Sequence, residues 1–374
     1  MDFGELLKMM VEKQGSDLFI TVSVPPTMKV HGRMTPISNT SLSMNDVRSI
    51  MHVIMTDAQK EEFKTTHECN FAIAPKGVGR FRVSAFVQRD APGMVLRRIE
   101  TNIPTVESLH LPDIIHDLAM TKRGLIFFVG ATGTGKSTSL AAMIKHRNHN
   151  SSGHIISIED PIEFIHPHDG CIVTQREVGI DTESYEVALK NTLRQAPDVI
   201  LIGEVRARET MDYAIAFSET GHLCLSTLHA NNANQALDRM INFFPEERRS
   251  QLLLDLSLNL KAVVAQQLVR TPDGKGRRAV VEVLINTPLV SDLIRKGEVA
   301  EIKEVMKRST EQGMQTFDQA LFNLYKEGGI TYEDAILHAD SENEVRLMIK
   351  LAEKGGVEKY DSRLSGMSLQ EEEH

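Results

Sequence analysis

The segment Gly130-Ala131-Thr132-Gly133-Thr134-Gly135-Lys136-Ser137-Thr138 places three glycines within six residues and follows them with a lysine and two hydroxyls. An apolar run, Leu125–Val129, enters it, and a helical pattern, Thr138–Arg147, leaves it. Glycines let the backbone curl so that successive N–H groups converge on one point. The start of the following helix adds its partial positive charge there. The pattern G-x-x-x-x-G-K-[ST] in a strand–loop–helix setting reads as a phosphate-binding loop. On that reading Gly130 to Thr138 cradle the phosphates of a nucleotide. Lys136 reaches the β- and γ-phosphates, and Ser137 ligates Mg2+. ATP and Mg2+ are the expected cofactors.

A loop of this kind needs an acid to hold the metal or its water. Asp198-Val199-Ile200-Leu201-Ile202-Gly203-Glu204 is a short apolar strand that delivers Glu204 at its end. Acids at the C-terminal edge of a parallel sheet lie on the same edge as the loop. A second strand, Ile155–Ile158, ends in Glu159, Asp160 and Glu163 around Pro161. Hydrolysis of a phosphoanhydride needs an oriented water, and one of these carboxylates is a candidate to orient it. The spacing does not say which. His222 and His229 flank a third apolar run, Leu223–Ser226, where a histidine could touch a γ-phosphate or simply pack. Arg80, Arg82, Arg97 and Arg98 lie upstream. They read as a solvated strand face, or as arginines supplied to transition-state charge from another domain or subunit.

The chain organisation follows from the pattern. Residues 1–100 read as a small α+β unit. It has strands at Asp17–Val24, Met28–Met34, Arg80–Val87 and Gly93–Ile99, a turn at Ala91–Gly93, and a helix capped by Ser43 and Asp46. Residues 101–112 carry two prolines and read as a linker. From 113 to 354, apolar strands alternate with helical stretches, which implies a buried parallel sheet. Glu246–Val269 reads there as one long helix, and Ala279–Ile285 as a strand. Residues 355–374, ending in three glutamates and a histidine, read as a disordered acidic tail.

Composition excludes several classes. The 374 residues suit two domains, and the net charge of −9 with no tryptophan speaks against a nucleic-acid channel. Three scattered cysteines give neither a disulfide framework nor a cysteine-ligated zinc, and fit a cytoplasmic compartment. No apolar run approaches the roughly 18–20 residues that span a bilayer, so membrane contact is expected only through partners. A non-catalytic scaffold and a small-molecule kinase are the alternatives. The retained Lys136, Ser137 and Glu204, with the carboxylates around Pro161, argue against the first, and the lack of a lid signature against the second.

These blocks together resemble the PilT/PilU family of type IV pilus retraction ATPases, within the bacterial type II/IV secretion ATPase superfamily. The resemblance runs from about Met1 to Leu351. It rests on Gly15–Leu18, Gly79–Val83, the phosphate loop, Ile158–Phe164, Val199–Arg206, Thr220–His229 and Gly313–Thr316. It implies a PAS-like N-terminal domain, a RecA-like P-loop domain, a homo-hexameric ring with nucleotide between the domains, and pilus retraction supporting twitching motility. By resemblance Glu163 activates water and Glu204 acts through Mg2+. His229, with His222, lies near the γ-phosphate, and Arg82 and Arg97 reach the nucleotide. Expected partners are a PilT-type motor and a PilC-like platform protein, at the cytoplasmic face of the inner membrane. The family's motor type carries Ala-Ile-Arg-Asn-Leu-Ile-Arg-Glu after its last strand. Here Leu289-Val290-Ser291-Asp292-Leu293-Ile294-Arg295-Lys296 stands in its place, which points to the accessory PilU type.

Overall fold

The computed structural model describes residues 2–364, with side chains to Glu353. It divides into two compact units: residues 1–103, 157–167 and 173–191, and residues 104–156, 168–172 and 192–374. The first passage between them is at Ile103 and Pro104. The two later returns, which carry the acidic turn, do not show in a reading that divides the chain once.

The first unit holds α1 (Phe3–Glu12), β1 (Gly15–Thr21), β2 (Thr27–Val30), β3 (Arg33–Pro36), α2 (Met44–Ile54), α3 (Asp57–Thr66), β4 (Glu68–Ile73), β5 (Phe81–Gln88) and β6 (Ala91–Arg98). Its antiparallel sheet has the order β3-β2-β1-β6-β5-β4. Alternation along β5 buries Phe81, Val83 and Ala85 against Leu6, Leu7 and Met10 of α1 and Val47 and Met51 of α2. The Ser43–Asp46 capping box is present, each residue bonding the other's backbone N–H.

Two local expectations are corrected. Met28–Met34 is two strands, because His31 and Gly32 both take positive φ and turn the chain. The hairpin before β6 turns at Arg89 and Asp90, both at positive φ, and not at Ala91–Gly93, which is already strand. Two residues at positive φ match the twist of the flanking strands.

In the second unit, α4 (Ile114–Ala119) leads to β7 (Gly124–Val129) and α5 (Lys136–Asn150). β8 (Gly153–Glu159) and β9 (Cys171–Glu177) follow, whose last residues belong to the first unit with nearly all of α6 (Tyr185–Thr192). The second unit resumes with β10 (Val199–Ile202), α7 (Arg208–Glu219), β11 (Leu223–Leu228), α8 (Ala233–Asn242) and α9 (Glu246–Asn259). Then come β12 (Leu260–Arg270), β13 (Arg277–Ile285), α10 (Pro288–Lys296), α11 (Ile302–Arg308), α12 (Phe317–Lys326), α13 (Tyr332–Leu337) and α14 (Glu342–Leu364). The sheet order is β13-β12-β7-β11-β10-β8-β9. β7, β10 and β11 lie parallel in one part of the sheet with every residue buried, as their largely apolar runs require.

The stretch Glu246–Val269 is not one helix. It breaks at Asn259, and Leu260–Arg270 becomes a strand parallel to β7 and antiparallel to β13. Ala262 to Ala265 are completely buried there, so pairing in the sheet interior overrides the leucine-rich helical pattern before them. The tail expected to be disordered from 355 continues α14 to Leu364, since extending a helix already formed is easier than starting one. Residues 365–374 lie outside the described residues. No helix among the described residues is long and apolar enough to cross a membrane.

His166 is buried in the first unit, with Nδ1 unpaired, and burial pushes its pKa down to about 4. The folded state therefore holds this ring neutral while an unfolded chain protonates it below about pH 6.5. Stability is expected to fall as pH drops from 6.5 toward 4, by up to about 1.4 kcal/mol per pH unit from this group alone. Urea unfolding across that range should show a shallower fall in His166→Phe than in the wild type. Equal slopes would contradict the assignment.

Candidate active site

β7 ends at Val129, and the chain turns at once into the glycine loop. Gly130, Gly133 and Gly135 have φ of 155°, 82° and 85°. A Cβ on Gly130 would stand 2.5 Å from the Gln266 carbonyl oxygen, and one on Gly135 would stand 2.8 Å from Gln266 Nε2. These two positions admit glycine for both backbone and space. Lys136 opens α5 and is buried; its Nζ donates to the carbonyls of Gly130 (2.7 Å) and Ala131 (2.8 Å). Thr134 Oγ1 donates to Ala131 O at 2.9 Å. Ala131, Thr132 and Gly133 form the exposed crest.

β11 and β10 carry the next groups to the same edge. Leu228 pairs with Val129 and Ile202 with Ser226, so His229 and Glu204 follow strand ends on the loop's side of the sheet. Thr227 Oγ1 donates to Gly203 O (2.7 Å) and Val205 N–H to Thr227 O (2.9 Å), which holds the two strand ends together. Glu204 Oε1 accepts from the Arg206 guanidinium, and its Oε2 faces His229 Nε2 at 3.3 Å. That second contact is close enough for charge attraction but is not a directed hydrogen bond, and Oε2 is a buried oxygen without one. Burial pushes the Glu204 carboxyl up, but Arg206 and His229 more than reverse this and hold it below the ordinary value. Just beyond His229, the start of α8 is anchored by Glu282, which accepts from the N–H of Ala233 (2.8 Å) and, more loosely, of Phe317 (3.3 Å).

His222 does not join this edge. It precedes β11, where its backbone carbonyl accepts from Gly124 N–H at the start of β7, and its ring lies against Thr220 and Phe217 at the end of α7. The length of the strand, roughly 20 Å at the usual rise, separates it from His229.

The remaining predicted residues lie in the first unit. Arg82 and Arg97 face each other across β5 and β6. Arg82 Nε donates to the buried Glu177 (3.0 Å), and its NH2 to the Ile162 carbonyl (3.3 Å). Arg97 Nε donates to Asp17 (2.8 Å), and its side chain is two-thirds exposed (67%). Among the three acids of the turn, Glu159 is tied inward. Its Oε1 accepts from Ser157 Oγ (2.7 Å) and Gln175 Nε2 (3.1 Å). Burial pushes its carboxyl up to about 6, with the Glu163 charge adding to the rise. Glu163 and Asp160 are exposed.

Reading the sequence did not single out Arg206, Glu177 or Gln266. Arg206 had a signal, a cation two residues after the acid at a strand end. Gln266 had one as well, an amide inside an apolar run, but that run was read as helix. Glu177 ends a strand that the pattern did not reveal.

Mg2+ fits this donor set. Among the described residues no group of three or more His, Cys, Asp or Glu could hold a metal. A magnesium bound chiefly by phosphates, one hydroxyl and water does not need such a group. The buried, unbonded Oε2 of Glu204 is a suitable acceptor for a metal-bound water.

A glycine loop between a buried strand and a helix, with an acid and a histidine on the next two strand ends, defines a P-loop ATPase. The chain belongs to the Type II/IV secretion system protein family, whose pattern matches residues 9–335. It is 69% identical over 370 residues to the type IV pilus ATPase PilU of Pseudomonas aeruginosa, covering 99% of this chain and 97% of that one. It is 38% identical over 335 residues to the type IV pilus retraction ATPase PilT of the same organism, covering 90% and 97%. The crystal structure of the pilus retraction motor PilT with bound ADP superposes with a TM-score of 0.85 at 36% identity, covering 92% and 98%. The fold is accordingly a small N-terminal α+β domain joined to a RecA-like ATPase domain.

The Arg82–Glu177 pair joins β5 to the end of β9 through a partner that is only 3% exposed. Removing one member of such a pair leaves a buried charge and costs on the order of 3 kcal/mol. A double-mutant cycle of Arg82→Ala and Glu177→Ala, read by urea denaturation, should give a coupling energy above about 1 kcal/mol. Simple additivity would contradict it.

Proposed function

We propose that this ATPase is the subunit of a homo-hexameric, Mg2+-dependent motor that drives type IV pilus retraction and twitching motility, either alone or with a PilT-type motor. It works in the cytoplasm, peripherally at the inner-membrane base of the pilus machine, against a PilC-like platform protein, and needs no nucleic acid. The observation that carries the reading is the shared sheet edge, where the phosphate loop, Glu204 and His229 follow three adjacent parallel strands. The similarity to PilU and PilT along nearly the whole chain supports the choice of machine.

The residues divide the chemistry. The backbone N–H groups of Gly130 to Ser137 and the Lys136 ammonium hold the β- and γ-phosphates. Ser137, and Glu204 through water, would hold Mg2+, which neutralises charge as the terminal phosphate departs. Arg206 keeps Glu204 ionised for that role. His229 stands beside Glu204, where it can report on the γ-phosphate. Glu163 orients the attacking water, a role open to it because Glu159 is committed to Ser157 and Gln175. Arg82 and Arg97 stabilise the developing charge. His222 is assigned no contact with phosphate inside its own subunit, and any part it plays belongs to the ring.

Steady-state phosphate release by the purified chain tests the proposal. The wild type is expected to hydrolyse ATP. Lys136→Ala should abolish activity, and Glu163→Ala should lower turnover at least about 10²-fold. A wild type that binds ATP and releases no phosphate would overturn the autonomous motor.

A further inference from the structure

The mechanism above does not use Gln266, although it is a buried amide in the middle of a strand. Its side chain is 3% exposed among alanines and valines. Burying an amide there is unfavourable unless both of its ends are bonded, and both are. Nε2 donates to the Thr134 carbonyl in the phosphate loop at 2.8 Å, and Oε1 accepts from Ser139 Oγ in α5 at 2.7 Å. The pairing Ala265↔Val129 sets Gln266 level with Gly130. Its main-chain oxygen there closes off the space over that glycine. One residue thus touches the loop where it begins, where it crests back, and where the helix takes over.

We propose that Gln266 is the positioning residue of the phosphate loop: its amide fixes the Thr134 carbonyl outward and keeps the loop N–H groups turned toward phosphate. Thr134 lies between two glycines whose φ values are freely reversible, so without a donor on its carbonyl the Thr134–Gly135 peptide can rotate. A rotated peptide would present oxygen, in place of N–H, to an anion. An aliphatic side chain of similar size would fill the space and leave that carbonyl unheld.

The next residue extends the consequence. Gln267 points to the opposite face of β12, where Nε2 donates to the His338 carbonyl (3.1 Å) and Oε1 lies 3.2 Å from His338 Nδ1. Adjacent glutamines on one strand therefore grip the phosphate loop on one side and the end of α13 on the other.

The inference rests on the loop being the nucleotide site, and the test separates the two. ADP binding is measured by calorimetry on the full chain for the wild type, Lys136→Ala, Gln266→Leu and Gln266→Met, with the thermal midpoint of each taken without nucleotide. Gln266→Met keeps the unbranched length and adds no charge but has no donor for Thr134, so it remains informative if Gln266→Leu fails to fold. Both Gln266 variants are expected to bind ADP about tenfold more weakly, the scale of one lost hydrogen bond at a buried site. This weakening should hold for any variant whose midpoint stays near that of the wild type. A folded Gln266→Met with wild-type affinity overturns the positioning role. A wild type that binds no ADP, or a Lys136→Ala that binds it equally well, overturns instead the reading on which it rests.

Discussion

The closeness of β12 to the glycine loop governs the site. The Gln266 carbonyl and amide leave no room for a Cβ at Gly130 or Gly135. The same strand pairs in parallel with β7, which delivers the loop. A loop packed this tightly against the sheet has few conformations, and the one it holds leaves its crest at Ala131, Thr132 and Gly133 exposed. Lys136 is drawn into that shape, buried with its ammonium on the Gly130 and Ala131 carbonyls. The phosphate-binding geometry is therefore made by the hydrophobic sheet, whose interior fixes the register of β7, β11 and β12.

Charge is handled by local pairing. Glu204 is held ionised by Arg206 and His229 against the pull of burial. Glu177 takes Arg82, Asp17 takes Arg97, and Ser157 and Gln175 take Glu159. In the acidic turn this leaves Glu163 at the surface, ready to meet solvent. Asp160 is also exposed there, so proximity in sequence is not what separates the three acids. What separates Glu159 from the other two is its less exposed position, where it accepts from Ser157 and Gln175.

Much of this was legible in the residues because the signals were local. A glycine loop after an apolar strand can form almost one structure, and Val199–Ile202 was read to the residue because four buried aliphatics allow no other placement. The failures were non-local. Leu260–Arg270 follows a helix without a break in hydrophobicity, and only its pairing with β7 and β13 makes it a strand, so Gln266 was hidden inside a misread element. The two histidines around β11 looked alike in sequence, yet the direction of a parallel strand puts His229 at the loop edge and His222 at the other. Glu177 could not be found at all, since its meaning lies in Arg82, a residue 95 positions away in sequence.

The phosphate loop is shaped by its packing against β12 before any nucleotide arrives. A crystal structure of the chain with ADP tests this directly. The account predicts the diphosphate over the N–H groups of residues 130–137, a loop backbone within about 1 Å of that described above, and the bond from Gln266 to the Thr134 carbonyl intact. A loop refolded around the diphosphate with that bond broken, or a nucleotide bound elsewhere, would contradict it.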